Sequence, residues 1–286
     1  MKLTKFIKSL GAIMATGTIL LGQAVPITAA ETTKVTVASV GSDAQVWKYI
    51  ADLDEVKQAG YEIKVEELNG GVELNNAVAD GVADVNAFQS LGYMDSYNQE
   101  AKNKLVPIGT TYIEPMGIYS KKHKTLADLP EGALISLPES PANTARALRL
   151  LESAGLIKLK ADFDEGIGTA SDIVENNKKL EFKTIEDTSA PRSLEDVDAS
   201  VIGNTIALEG GLNVLKDALH KEEINDSTKS RINVLAVKAG REKDEKLLKL
   251  VEFYHLPKVQ EYVTKQFEGT KVEVKKEVKE VWSGQQ

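Results

Sequence analysis

Arg146 stands one to two turns into a segment that opens with Ser140-Pro141, and Asn143 precedes it by one turn on the same helical face. A guanidinium offers two parallel N–H donors that match a carboxylate, and a neighbouring carboxamide adds a donor and an acceptor. Backbone amides near a helix start favour the same anion. An isolated arginine on an amphipathic helix is more often a solvated charge, so the other polar and aromatic residues matter. Phe88, Gln89 and Tyr93 fall at and just beyond the carboxyl end of the strand-like "ADVNAF" (83–88), where a parallel sheet presents its ligand edge. By periodicity alone, Phe88 reads as core. Tyr112 and Glu114 follow, and Glu114 is either an acceptor for an ammonium group or the partner of a surface lysine. Such groups hold a small charged molecule rather than break bonds in it.

Bond-breaking sets are hard to assemble from this sequence. There is no cysteine, which removes disulfides, thiolate metal sites and thiol nucleophiles together. The three histidines, His123, His220 and His255, have no metal-ligand spacing between them. No Gly-rich phosphate loop or nucleophile elbow occurs, and the serines of "SVGSD" and "GTASD" lack a recognisable partner histidine. No cofactor, metal or catalytic role is therefore expected. The formal charge of the 286 residues is -8, without a Lys/Arg-dense block, which argues against nucleic acid as a partner.

Elements that could position these residues alternate along the chain. "KVTVASV" (34–40), "YEIKVEEL" (61–68) and "ADVNAF" read as strands, with helices over 44–60 and 71–81 between them. The pattern recurs with strands at 133–138, 180–186 and 198–203. Its helices are 140–155, with Ser140 as N-cap and Pro141 at the first helical position, and the short 190–196. This order implies right-handed crossovers and two mostly parallel sheets. A strand-like "GIYS" and a later strand near 231–240 imply two crossings between the halves. A final helix over 242–267, kinked at Pro257, returns to the first. The expected fold is α/β, with two lobes, a hinge and an interlobe cleft. Lobe 1 is 31–119 plus 232–286, and lobe 2 is 120–231.

Five stretches, "ADVNAFQSLGYM" (83–94), "YIEPMGIYSKK" (112–122), "GLIKLK" (155–160), "DIVENNKKLEF" (172–182) and "APRSLEDVDASVI" (190–202), resemble the NlpA/MetQ family of substrate-binding lipoproteins. The similarity runs in order along the chain after the N-terminal segment. It implies the two-lobe periplasmic-binding-protein fold and a monomeric binding protein of a methionine-type ABC importer, with a small zwitterionic ligand and permease subunits as partners. It matches Asn143 and Arg146 to the family's ligand-binding pair, and Phe88 and Tyr93 to the aromatics that frame the ligand side chain. Departures touch the substrate. Methionine-binding members usually carry a tyrosine where this chain has Gly71, a histidine where it has Ser90, and an asparagine where it has Gly203, with Asn204 displaced by one. The lost side chains are expected to make room for a larger or differently shaped ligand, or to weaken or shift the binding of methionine. A secreted or surface-associated non-transport protein, an adhesin or signal carrier on the same fold, is the alternative.

The N-terminal segment has Lys2, Lys5 and Lys8 before an apolar stretch and the small-residue tripeptide Thr28-Ala29-Ala30, which reads as a signal peptide cleaved after Ala30. Its removal takes three lysines and no acid, leaving a charge of -11. Leu20-Leu21-Gly22 is followed by Gln23, where a lipid-anchored relative has cysteine, so export without a lipid anchor is expected. The product would be extracellular or cell-surface associated, or periplasmic in a cell with an outer membrane.

Overall fold

The computed structural model describes residues 32–284, so the segment read as a signal peptide lies outside the described residues. Two five-stranded sheets follow the same plan. In the first, β1 (Thr33–Ser39) lies between β2 (Tyr61–Glu67) and β3 (Val85–Ser90), all parallel. β13 (Asn233–Lys238), from the distant end of the chain, inserts antiparallel between β3 and the edge strand β4 (Leu105–Thr110). In the second, β7 (Leu134–Pro138) lies between β10 (Glu181–Ile185) and β11 (Ala199–Ile202), again parallel. β6 (Gly117–Tyr119) and β12 (His220–Lys221) complete it antiparallel. Two small ladders pair β5 (Tyr112–Ile113) with β14 (Val272–Glu273), and β8 (Lys158–Leu159) with β9 (Ile173–Glu175).

Each five-stranded sheet is covered on both faces, which is why its central strands are apolar without strict alternation. Val35 and Val37 of β1 face one core and Ala38 the other, as the period of two requires. The first core takes Trp47 and Ile50 of α1 (Gly41–Asp52), Val56 of α2 (Asp54–Gln58), Phe253 of α8 (Glu245–Tyr254) and Val259 of α9 (Pro257–Gln266). The opposite face packs α3 (Gly71–Ala79), α4 (Leu91–Glu100) and the C-terminal α10 (Val278–Val281) with Trp282. On the second sheet, Ala145, Leu148 and Leu151 of α5 (Pro141–Ser153) fill one core, and α6 (Ala190–Ser193) and α7 (Asn204–Glu209) fill the other.

Several elements differ from the sequence reading. β6 pairs inside the second sheet, so the first crossing is complete before residue 117, earlier than the expected boundary at 119. The C-terminal helix is two helices, not one kinked helix. His255 leaves the helical region and Leu256 is extended at ψ 135°, because the ring of Pro257 excludes the α conformation from its predecessor. Leu53 is likewise extended at ψ 136°, splitting the expected helix 44–60. Residues 190–196 form one helical turn, Ala190–Ser193, rather than a full helix.

Candidate binding site

The carboxyl ends of β1, β3, β7, β10 and β11 converge on one cavity of about 150 Å³, which opens into a vestibule of about 1130 Å³. Open α/β sheets bind ligands at this end, because there the loops diverge and leave a crevice. Gly70, Gly71, Tyr93, Glu186, Asp187 and Thr188 belong to both spaces and form the neck between them.

Phe88, at the end of β3, and Tyr93, in the first turn of α4, meet edge to face with ring centroids 5.8 Å apart. Ser90 caps α4 by accepting from the Tyr93 N–H, which orients that turn toward the cavity. Gly71 stands against this pair. A Cβ there would lie 2.1 Å from the Tyr93 hydroxyl oxygen and 3.1 Å from Phe88 Cε2. Tyr93 therefore occupies the space that the missing side chain was expected to vacate. At Gly203, by contrast, the space is open, with nothing within 4 Å of where a Cβ would stand.

Gln89 reaches the cavity wall, but its amide is spent in a buried ring. Asn75 Nδ2 donates to Gln89 Oε1 at 3.0 Å, Gln89 Nε2 to Asn86 Oδ1 at 2.8 Å, and Asn86 Nδ2 to Asn75 Oδ1 at 2.9 Å. Its role is to stiffen the end of β3.

Asn143 and Arg146 both line the cavity from α5. The expected two-pronged grip of Arg146 on a ligand is altered, because its fork already holds an acid of this chain. Nε donates to Glu222 Oε1 and Oε2 at 2.9 and 3.1 Å, and Nη2 donates to Glu222 Oε2 and to the Glu114 carbonyl. Nη1 has no hydrogen bond among the described residues. Burial alone would lower the Arg146 pKa, but the charge and hydrogen bonds of Glu222 raise it. Burial pushes the Glu222 pKa up, but Arg146, Arg231 and the Met116 N–H together hold it below its ordinary value. Asn143 donates to Asp187 Oδ2 at 3.1 Å. Ser140 occupies the N-cap position of α5 without capping it: its hydroxyl is buried without a partner among the described residues.

Glu114 lines the cavity, yet its carboxylate faces a cation of the chain. Lys271, wholly buried, donates to Glu114 Oε2 at 3.0 Å, to Asp43 Oδ1 at 3.1 Å and to Thr205 Oγ1 at 3.0 Å. The Tyr112 hydroxyl donates to both Asp43 oxygens, and its ring lies 3.9 Å beneath the Lys271 ammonium. Burial opposes the charge on Glu114, but Lys271 and the Asn204 amide hold its pKa below the ordinary range. Asn204 is not on the cavity wall. It sits behind it, 1% exposed, donating to Glu114 Oε2 and to Thr270 Oγ1.

Asp187 is the acid at the neck that sequence reasoning missed, as it missed Glu222, Asp43 and Lys271. Loss of water pushes its pKa up to about 6, against the Asn143 and Glu139 N–H bonds that lower it, and the charges of Glu186 and Glu139 raise it further. Position beyond a strand end was the available signal, and Glu186 and Asp187 directly follow β10.

A family model described as NlpA lipoprotein matches residues 34–275. The probable D-methionine-binding lipoprotein MetQ of Pasteurella multocida is 34% identical over 229 residues, 80% of this chain and 81% of that one. The methionine-binding lipoprotein MetQ of Bacillus subtilis is 36% identical over 217 residues, 75% of this chain and 78% of that one. A nutrient binding protein from Burkholderia cenocepacia, solved bound to methionine, is 39% identical, superposes with a TM-score of 0.80, and covers 84% of this chain and 99% of its own.

Proposed function

This chain belongs to the NlpA lipoprotein family, and from that premise we propose that it is an exported, surface-associated solute-binding protein of an ABC importer. It holds one methionine-like amino acid or small peptide in the cavity and passes it unchanged to the permease. The observation that carries this reading is the cavity itself, where an aromatic pair and a guanidinium edge converge at the ends of both sheets. Phe88 and Tyr93 wall the ligand side chain, while Arg146 Nη1 and the Asn143 amide serve its carboxylate. The volume suits a molecule smaller than the drug-sized ligands that fill about 300–1,000 Å³. Gly203 is where a bulkier ligand would find room. Among the described residues, no helix is long and apolar enough to cross a membrane.

A thermal-shift screen of amino acids and short peptides tests this. One class should stabilise the protein by mass action, about 2.7 kcal/mol at a hundredfold excess over Kd. Mass spectrometry should recover that molecule intact. Stabilisation by none of them, or recovery of a changed molecule, overturns the reading.

A further inference from the structure

Three acids line the inner cavity: Glu114, Glu186 and Asp187. Glu114 is neutralised by Lys271, and Glu186 is exposed to water. Among the described residues, the one cation that lines the cavity, Arg146, is itself paired with Glu222. Asp187 differs from the other acids there. It is half-buried, it accepts only from neutral donors, Asn143 Nδ2 and the Glu139 N–H, and no lysine or arginine pairs with it among the described residues. Its charged and titratable neighbours are Glu139 at the β7–α5 turn, Glu186 beside it, and the Tyr93 hydroxyl on α4. None supplies positive charge. A carboxylate partly withdrawn from water beside like charges is costly until a cation meets it.

We propose that Asp187 is the specificity residue that receives the ligand's primary ammonium group at the neck of the cavity, with the ligand carboxylate directed inward to Arg146. This rests on the binding-protein reading above and adds the polarity of the ligand. Glu114, the acid the sequence suggested for this task, already has its cation. Asn143 bonds Asp187 and stands one turn from Arg146, so a single α5 face spans both ends of a zwitterion. The ligand class is then a molecule with a free amine: an amino acid, or a peptide with an unblocked N-terminus. The raised pKa of Asp187 accords with a carboxylate that lacks its counter-ion.

The test compares the wild-type chain and Asp187→Asn by calorimetric titration. Probes are L-methionine, its des-amino analogue 4-(methylthio)butanoate, N-acetyl-methionine, and methionine-containing dipeptides with free and acetylated N-termini. The substitution keeps the size and removes the charge, leaving one acceptor oxygen for the Asn143 and Glu139 donors in place of two. The wild type should bind free-amine probes at least tenfold more tightly than blocked ones. In Asp187→Asn that preference should shrink to under threefold, with the loss confined to free-amine probes. Whether the amino acid or the dipeptide binds more tightly identifies the source of the amine. Equal losses for free and blocked probes, or wild-type affinity for N-acetyl-methionine matching that for methionine, overturns the assignment while leaving the binding-protein reading intact. Binding of none of the probes by the wild type overturns both.

Discussion

At the scale of single residues, the site trades stability for recognition. Asp187 has a pKa raised to about 6 from the ordinary 3.8, so the native state holds its proton more firmly than the unfolded chain does. Its contribution to stability is fully present below the unfolded value and is lost as pH rises through about 6, a cost of about 3 kcal/mol at neutral pH. Ligand-free Asp187→Asn should therefore match the wild type in urea unfolding near pH 4 and exceed it by up to about 3 kcal/mol at pH 7.5. A constant difference across that window would mean that Asp187 does not titrate as described. Arg146 carries the opposite risk. Arg146→Ala leaves the buried Glu222 with Arg231 and the Met116 N–H, and should lower stability by about 3–5 kcal/mol before any ligand is added. Arg149, one turn on, stacks its guanidinium 4.9 Å over Phe163 and pairs with Glu152 and Glu165 outside the cavity. Arg149→Ala should change ligand affinity by well under tenfold in calorimetric titration, and an equal loss at both arginines would show that Arg146 serves structure alone.

Elements show where local signals carried and where they did not. The parallel strands of both sheets, with β6 and β13, were legible, because runs such as "KVTVASV" and "DASVIG" are bounded by turn residues and separated by amphipathic segments, whereas the edge strand β4 and the two- and three-residue strands β5, β8, β9, β12 and β14 were not. The helix α5 was legible as well, yet its start is built otherwise than a Ser-Pro opening suggests. Thr144 Oγ1 donates to the Pro138 carbonyl at 2.6 Å and to the Ser140 carbonyl at 3.0 Å, while the Ser140 hydroxyl donates to nothing described. Ser140→Ala should therefore change stability by less than about 0.5 kcal/mol, where a working N-cap serine would cost about 1 kcal/mol. Thr144→Val should cost about 1 kcal/mol. Thermal or urea unfolding of both decides, and a larger loss at Ser140 would show that its hydroxyl caps the helix after all. The helix α4 carries Tyr93 and escaped the reading, because "LGYMDSYNQE" is too polar to show a clear apolar face.

Across the whole molecule, the two sheets meet through a charge network that no local pattern announces. Asp43 belongs to α1 on the first sheet, Glu114 to the crossing segment, Thr205 to α7 on the second sheet, and Lys271 to the chain just before β14. In sequence, Lys271 is one of several lysines in an acidic-basic C-terminal stretch and looks like a surface charge. Folding places its ammonium at 0% exposure between two carboxylates, over the Tyr112 ring. Pairings between residues 157 or 228 positions apart follow from topology, not from composition or period. One cation serves two acids, so burial and the Glu114 charge push Asp43 up even as Lys271 holds it down, while Glu114 keeps its charge. Lys271→Met keeps the chain length and removes the cation, leaving two adjacent buried carboxylates unpaired. The expected loss is about 3–5 kcal/mol at pH 7.5, recovered in part on acidification as one of the two takes up a proton. Lys271→Arg should not restore stability, since a planar fork replaces a point charge in a space with no exposure. Urea unfolding of the three chains between pH 5 and 8 checks this, and a Lys271→Met protein as stable as the wild type at pH 7.5 would show that packing, rather than this charge, joins the two sheets.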